Sequence, residues 1–415
     1  MDTSQRLVEV KRSSSALGEG PARTYILSLP NEILHWIFKL AIESEPYGRK
    51  KTLFVLMATT PRFRHILLYT SDFWTRLETE GEQYDWNTGL GQYLERSKAQ
   101  ANLDYSLNFS LLNPSQDAVK LLLRHQKRWE RMDFYNLRRK HRRIVSDISS
   151  ATELKRLWVT SSSAALLRNI VNTLSSQKLE HLRLIIDTID IDALSIPILH
   201  ALGRLSTLSH LSLTMPLGRI GKAKSQHKKE DKEDIGHVSL ENLVDLDLSS
   251  PFCTRLLPSI TAPKLVKASL SVRQSKDIKE IKNFLQRSQP PLQSLHIWIQ
   301  GNDVFEHNTK QFEQLFELVP NLRSLTLSYT EKVLGNMDFK DLFLETESLL
   351  PKLTNLIFDI SVEEASDAEI EEVVRIVKLR CTYSPNTKIQ VQAGFLLEEF
   401  ENGEYENLQF IFDPE

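Results

Sequence analysis

One short phrase recurs nine times between residues 129 and 358: apolar, two of any kind, apolar, one of any kind, apolar. It reads Trp129-Met132-Phe134, Leu154-Leu157-Val159, Leu179-Leu182-Leu184, Leu208-Leu211-Leu213 and Leu243-Leu246-Leu248. It continues as Leu265-Ala268-Leu270, Leu292-Leu295-Ile297, Leu322-Leu325-Leu327 and Leu353-Leu356-Phe358. The steps between first residues are 25, 25, 29, 35, 22, 27, 30 and 31. In the last four positions apolar and polar residues alternate, which places the apolar side chains on one side of a strand and the others on the opposite side. A unit that buries only one face is stabilised by stacking on its neighbours, so the phrase predicts a quasi-one-dimensional array.

Steps of this size match leucine-rich repeats, whose period is about 20–29 residues. Helical apolar spacing fills the intervals at 165–174, 191–202, 278–285, 312–318 and 370–379. The expected fold is therefore α/β: parallel strands on a concave face and helices on the convex face, over residues 129–395. The longest step contains Gly221 to Asp234, charged and without apolar period, which reads as a loop within 216–237. The outward strand positions form a candidate partner surface for a target protein. They include Trp158, Arg183, Asp247, His296, Trp298 and Thr326. An aromatic at such a position is a hot-spot candidate, or else it is covered by helices, loops or the C-terminal segment.

The chain before the repeats has a different character. Residues 1–24 are rich in Ser, Gly and charge and read as a disordered tail. Helical spacing begins at Pro30, which suits a helix start because its missing N–H would be unpaired there. Ile33, Leu34, Ile37, Phe38 and Ala41 follow in three- and four-residue steps, and the helix should end before Pro46. A second helix is expected over 52–58 and a third from Pro61 to Tyr69, closing on Ser71-Asp72-Phe73-Trp74. Residues 81–128 read as a linker into the repeats, and the acidic, aromatic 396–415 as a tail or cap.

Three strings in this region resemble a known family. Leu29-Pro30-x-Glu32-Ile33-Leu34-x-x-Ile37-Phe38 is similar to the opening of an F-box. Arg62-Phe63-Arg64-His65-Ile66-Leu67 resembles the family's C-R-x-W-R-x-I helix, and Tyr69-Thr70-Ser71-Asp72-Phe73-Trp74 its S-T-P-x-L-W ending, in the form found in mushroom-forming fungi. Thr60 stands where the family often has Cys, Phe63 where it has Trp, and Ser71 where it has Pro. The strings Tyr93-Leu94-Glu95-Arg96-Ser97 and Leu121 to Met132 also resemble fungal F-box phrasing ahead of degenerate leucine-rich repeats. The resemblance implies a module over 25–80 that binds a Skp-family adaptor, and through it a cullin, while the repeats bind the substrate of a ubiquitin ligase. The implied adaptor-binding residues are Leu29, Pro30, Ile33, Leu34, Ile37, Phe38, Phe63, Ile66, Phe73 and Trp74, unless these only pack the small helices together. The alternative is a repeat scaffold unrelated to ubiquitin transfer.

Composition excludes other classes. The net charge of −2 gives no bulk attraction to polyanions, so no nucleic-acid partner is expected. The basic run Arg138 to Arg143 reads as a solvated surface, a localisation signal or an anion-binding patch. Cys253 and Cys381 are too few and too isolated for a disulfide framework or a structural zinc site. No membrane span or secretory leader is read, so a cytoplasmic or nuclear protein is expected. Hydrolase, metalloprotease and phosphate-loop motifs are missing from the sequence. The expectation is a non-enzymatic chain without cofactor. A hydrolase or transferase on a repeat fold would need convergent polar groups in a pocket.

Overall fold

A computed structural model describes residues 25–44, 49–78, 86–99, 101–109, 116–138, 148–174, 176–186, 192–215, 237–249, 255–299, 309–329, 350–360, 388–393 and 408–411. The chain divides into two compact units, Met1–Phe73 and Trp74–Glu415.

The first unit is helical: α1 Tyr25–Ser28, α2 Asn31–Glu43, α3 Arg49–Thr59 and α4 Pro61–Tyr69. Leu34, Phe38 and Ile42, at four-residue spacing, form the buried face of α2. Phe38 meets Phe63 of α4 edge to face, with ring centroids 4.7 Å apart. Pro61 occupies the first turn of α4, and the Thr60 hydroxyl accepts from the Phe63 N–H at 3.1 Å. Thr60 is thus the helix cap rather than a residue of the apolar face, and its hydroxyl does work that a thiol would do poorly.

In the second unit every strand of the main sheet is parallel. In chain order the strands of this unit are β1 Arg76–Glu78, β2 Leu103–Asn108, β3 Trp129–Leu137, β4 Arg156–Ser161, β5 His181–Ile186, β6 His210–Thr214, β7 Val238–Ser239, β8 Asp245–Leu248, β9 Ile260–Thr261, β10 Lys267–Val272, β11 Ser294–Ile299, β12 Ser324–Tyr329, β13 Asn355–Ile360, β14 Lys388–Ala393 and β15 Leu408–Ile411. Thirteen of them pair in sequence order into one sheet, while β7 and β9 form a separate pair. The described helices are α5 Trp86–Arg96, α6 Gln116–Arg124, α7 Ala164–Thr173, α8 Asp192–Leu202, α9 Ser275–Ser288 and α10 Thr309–Phe316. The last four match the expected helices to within a few residues, α5 and α6 lie in the stretch read as a linker, and the expected 370–379 lies outside the described residues.

The middle residue of the recurring phrase aligns across nine consecutive strands: Met132, Leu157, Leu182, Leu211, Leu246, Ala268, Leu295, Leu325 and Leu356. All nine are buried. A one-residue slip would turn the whole set outward, so burial fixes the register. The result is a leucine-rich-repeat solenoid, as the period predicts.

The sheet is longer than the phrase. Leu77 and Tyr105 extend the column at one end, and Ile389 and Leu408 extend it at the other. The expected linker 81–128 therefore belongs in part to the solenoid, and the helical module stops at Phe73 rather than residue 80. β2 lacks the turning apolar residue three positions ahead, where Asn102 stands, so the phrase misses it. It keeps the alternating burial of the other strands. The C-terminal segment contributes β15, a capping strand. Buried Arg128 fastens β3 to the end of α5, donating to Ala101 O at 2.8 Å and Ser97 Oγ at 2.7 Å.

The segments 1–24 and 139–143, most of 216–237, both cysteines and the acidic run 398–406 lie outside the described residues. Among the described residues no helix is long and apolar enough to cross a membrane, and no group of three acidic, His or Cys side chains is placed to hold a metal.

Candidate functional site

Two surfaces, one on each unit, carry unusual side chains. On the first unit α2 is apolar on two sides. One side is the buried Leu34, Phe38 and Ile42; the other is Ile33, Trp36, Ile37 and Leu40, spaced at three and four residues and exposed. Trp36 and Leu40 are 60% and 65% exposed, more than any aliphatic or Trp side chain in a folded core would be. Of the ten large apolar side chains exposed among the described residues, nine lie in this small unit, Phe54 and Val55 of α3 among them. A concentration of this kind marks an interaction surface.

The corner that leads into α2 is held by one side chain. The Arg62 guanidinium donates to Leu27 O and, at 2.7 Å each, to Leu29 O and Asn31 Oδ1. Its planar fork fits three acceptors that a point charge would not. Pro30 lies exposed between them, and Leu29 is half-buried.

The ten residues expected to bind an adaptor therefore divide. Leu29, Pro30, Ile33 and Ile37 are accessible. Leu34, Phe38, Phe63, Ile66 and Phe73 are buried and pack the chain instead of facing a partner. Trp74 belongs to the second unit, 1% exposed, with the Tyr93 ring 5.0 Å from its own and the Arg96 guanidinium 4.4 Å from its centroid. The sequence reading omitted Trp36 and Leu40. Their three- and four-residue spacing from Ile33 and Ile37 is the signal that would have found them.

On the second unit, the outward side chains of β3–β8 line a cleft of about 560 Å³. Trp158 lines it, with the Tyr135 ring edge-on at 5.0 Å and the Arg183 guanidinium 4.3 Å from its centroid. Around it are Arg131, Lys155 and Arg156, with Glu180, Asp245 and Asp247 as the acids. Arg156 pairs with Asp133 at 3.2 Å and Lys155 with Glu130 at 2.8 Å. The imidazoles of His181 and His210 stack 4.0 Å apart in the same cleft.

Burial sets the protonation of several groups. It lowers the His181 pKa, and the neighbouring His210 adds to the effect, so His181 is neutral at pH 7. It raises the pKa of Asp133 and Asp247, against opposing help from Arg156 for the first and from the Ser212 hydroxyl for the second. Ser212 Oγ donates to Asp247 Oδ2 at 2.8 Å.

Of the six outward residues singled out from sequence, Trp158, Arg183 and Asp247 meet in this cleft. His296, Trp298 and Thr326 lie farther along the sheet, on β11 and β12. The His296 and Trp298 rings are 4.6 Å apart. Trp298 Nε1–H donates to Ser269 Oγ at 3.3 Å, and His296 Nε2 lies 2.7 Å from Ser328 Oγ, which donates to Asp359 Oδ2 at 2.7 Å. Because the Ser328 proton points to the carboxylate, His296 Nε2 carries a proton and donates. This relay orients side chains; it does not form a nucleophile–base pair. The reading missed Arg131, Arg156, His181, His210 and Asp245, the outward position just ahead of the first inward residue of each strand. Period-two alternation marks that position as clearly as the two that were used.

Among protein-family models and curated proteins, none matches this sequence. Among solved structures, the chain is similar to one in the crystal structure of the Rad7 and Elc1 complex in yeast, with 15% identity and a TM-score of 0.43. The likeness covers 84% of this chain and 96% of that one.

Proposed function

We propose that this chain is the substrate-recognition adaptor of a Skp–cullin–F-box type ubiquitin ligase. Its helical unit docks a Skp-family adaptor, which links it to a cullin, and its repeat sheet holds the target protein. The observation that carries the reading is the second apolar side of α2. Ile33, Trp36, Ile37 and Leu40 keep 36–65% of their surface exposed to water, so a partner that covers them recovers that share of the roughly 1.5–3 kcal/mol that full burial of such a side chain contributes. The stripe lies within the stretch whose strings resemble an F-box, next to the Leu29-Pro30 corner. In such a complex the chain performs no bond chemistry of its own; it raises the effective concentration of the target near the catalyst.

Co-purification of the full chain with a Skp-family adaptor tests this. The wild type should retain the adaptor, and the double variant Trp36→Ser, Leu40→Ser should lose it. Both side chains are exposed, so the substitutions should leave stability within about 0.5 kcal/mol. Hot-spot loss at an interface costs about 2 kcal/mol or more, roughly a thirtyfold weakening. A wild type that captures no adaptor, or a double variant that binds undiminished, would refute the docking role.

A further inference from the structure

The β3–β8 cleft carries its cations at one end, where Asp133 and Glu180 partly offset them, and Asp245 and Asp247 at the other. In register across the sheet stand Arg131, Arg156, His181, His210 and Asp245, one per strand. In the next outward column Asp133, Trp158, Arg183, Ser212 and Asp247 do the same. Like charges directly opposite one another in a sheet are destabilising, and Arg131 and Arg156 stand opposite with Asp104 and Asp133 offsetting them. The cations gather at β3–β5, and Asp245 and Asp247 stand two strands away on β8.

Arg183 is the cation with spare capacity. Lys155 and Arg156 are engaged with carboxylates, and Arg131 has Asp104 at 3.8 Å. Arg183 instead stacks on Trp158, is exposed, and has Asp247 as an electrostatic neighbour. Stacking fixes the plane of the guanidinium and leaves its edge donors facing solvent, which suits bidentate capture of a carboxylate. A wholly acidic ligand would meet Asp245 and Asp247. A wholly basic one would meet three arginines and Lys155. Only a ligand carrying both signs fits the length of the cleft.

We propose that this cleft holds an extended protein segment bearing an acidic residue and a basic residue four positions apart. The acidic residue seats on Arg183 and the basic one on Asp245. The spacing follows from the sheet. The Arg183 guanidinium lies over the Trp158 ring of β4, and β4 to β8 is three strand steps, about 14 Å; an extended chain advances about 3.3 Å per residue and places residues on one face only at even separations, which gives four. The stacked faces of His181 and His210 form the shelf beneath the residues between. The inference rests on reading the repeat sheet as the cargo surface, and it is independent of whether the helical unit binds an adaptor.

The test uses the purified full chain on an array of immobilised Gly/Ser peptides. Each carries one Glu and one Lys at every separation from adjacent to seven apart, with Glu-only and Lys-only controls. Retention should peak at a separation of four. Arg183→Gln should weaken that peak about ten- to a hundredfold, as loss of a charge-assisted bidentate contact does, and Asp245→Asn should lower it toward the Glu-only control. Arg183→Gln should bind a Skp-family adaptor as the wild type does, so failure here is separable from failure of the adaptor reading. Retention independent of separation, equal binding of the Glu-only peptides, competition by polyuridylate, or an unchanged peak in Arg183→Gln would each overturn the proposal.

Discussion

Replacing Arg62 by Met should loosen the corner that leads into α2 while leaving the rest of the unit folded. The substitution keeps most of the aliphatic stem and removes the guanidinium, and with it the bonds to Leu27 O, Leu29 O and Asn31 Oδ1. A hydrogen bond to a charged group contributes about 1.5–3 kcal/mol when buried and nearer 1 kcal/mol when solvent competes. The bond to Leu29 O is part-buried and the other two are exposed. Together they hold the corner by roughly 3.5–5 kcal/mol. Hydrogen exchange by mass spectrometry on peptides covering residues 26–34 reads this directly. If local opening governs exchange there, rates should rise by about two orders of magnitude or more, while α4 stays protected. Arg62→Lys should fall between, because an ammonium reaches fewer of the three acceptors. Unchanged exchange across 26–34 in Arg62→Met would show that helix packing, and not the guanidinium, fixes the corner.

Three further outcomes are expected. Leu295→Ala removes a fully buried member of the central column and should cost about 2–5 kcal/mol in urea unfolding; a loss under 1 kcal/mol would mean the column is not tightly packed. Thr60→Ala deletes the α4 cap and should cost about 1 kcal/mol, whereas Thr60→Ser should be nearly neutral; equal losses in the two would argue against the hydroxyl's role. Burial lowers the His296 pKa to about 4, with Asp359 opposing. Its neutral form therefore contributes stability that is fully present above pH 6.5 and is lost as the pH falls toward 4, up to about 3 kcal/mol. His296→Gln should flatten that acid loss. Asp133 and Asp247, with raised pKa values, act in the opposite sense, so the comparison is between variant and wild type across pH 7 to 4. Identical acid profiles would refute the assignment.

Much of the solenoid was legible because its information is local. An alternating strand shows its inward residues within six positions, and the recurring phrase placed nine of them in the register that the structure has. The helices between them followed from three- and four-residue spacing. β1 and β2 were not legible as part of the array. β2 has no leading apolar residue, and β1, though led by Trp74, has Thr79 where the third apolar residue would stand, so only pairing from β1 through β2 to β3 makes them solenoid.

The sequence by itself therefore determined the repeat, its register and the helical character of the N-terminal unit, since each depends on periodicity along the chain. Tertiary structure decided which apolar side of α2 is buried. With apolar residues on both sides, Leu34 and Phe38 could be told from Trp36 and Leu40 only once Phe63 and its neighbours had claimed one side. It also decided that Trp158, Arg183 and Asp247 share a cleft with Arg131 and Asp245. Strand stacking sets residues 25 to 35 positions apart side by side, so that one cleft runs from Arg131 to Asp245, and no local pattern encodes that.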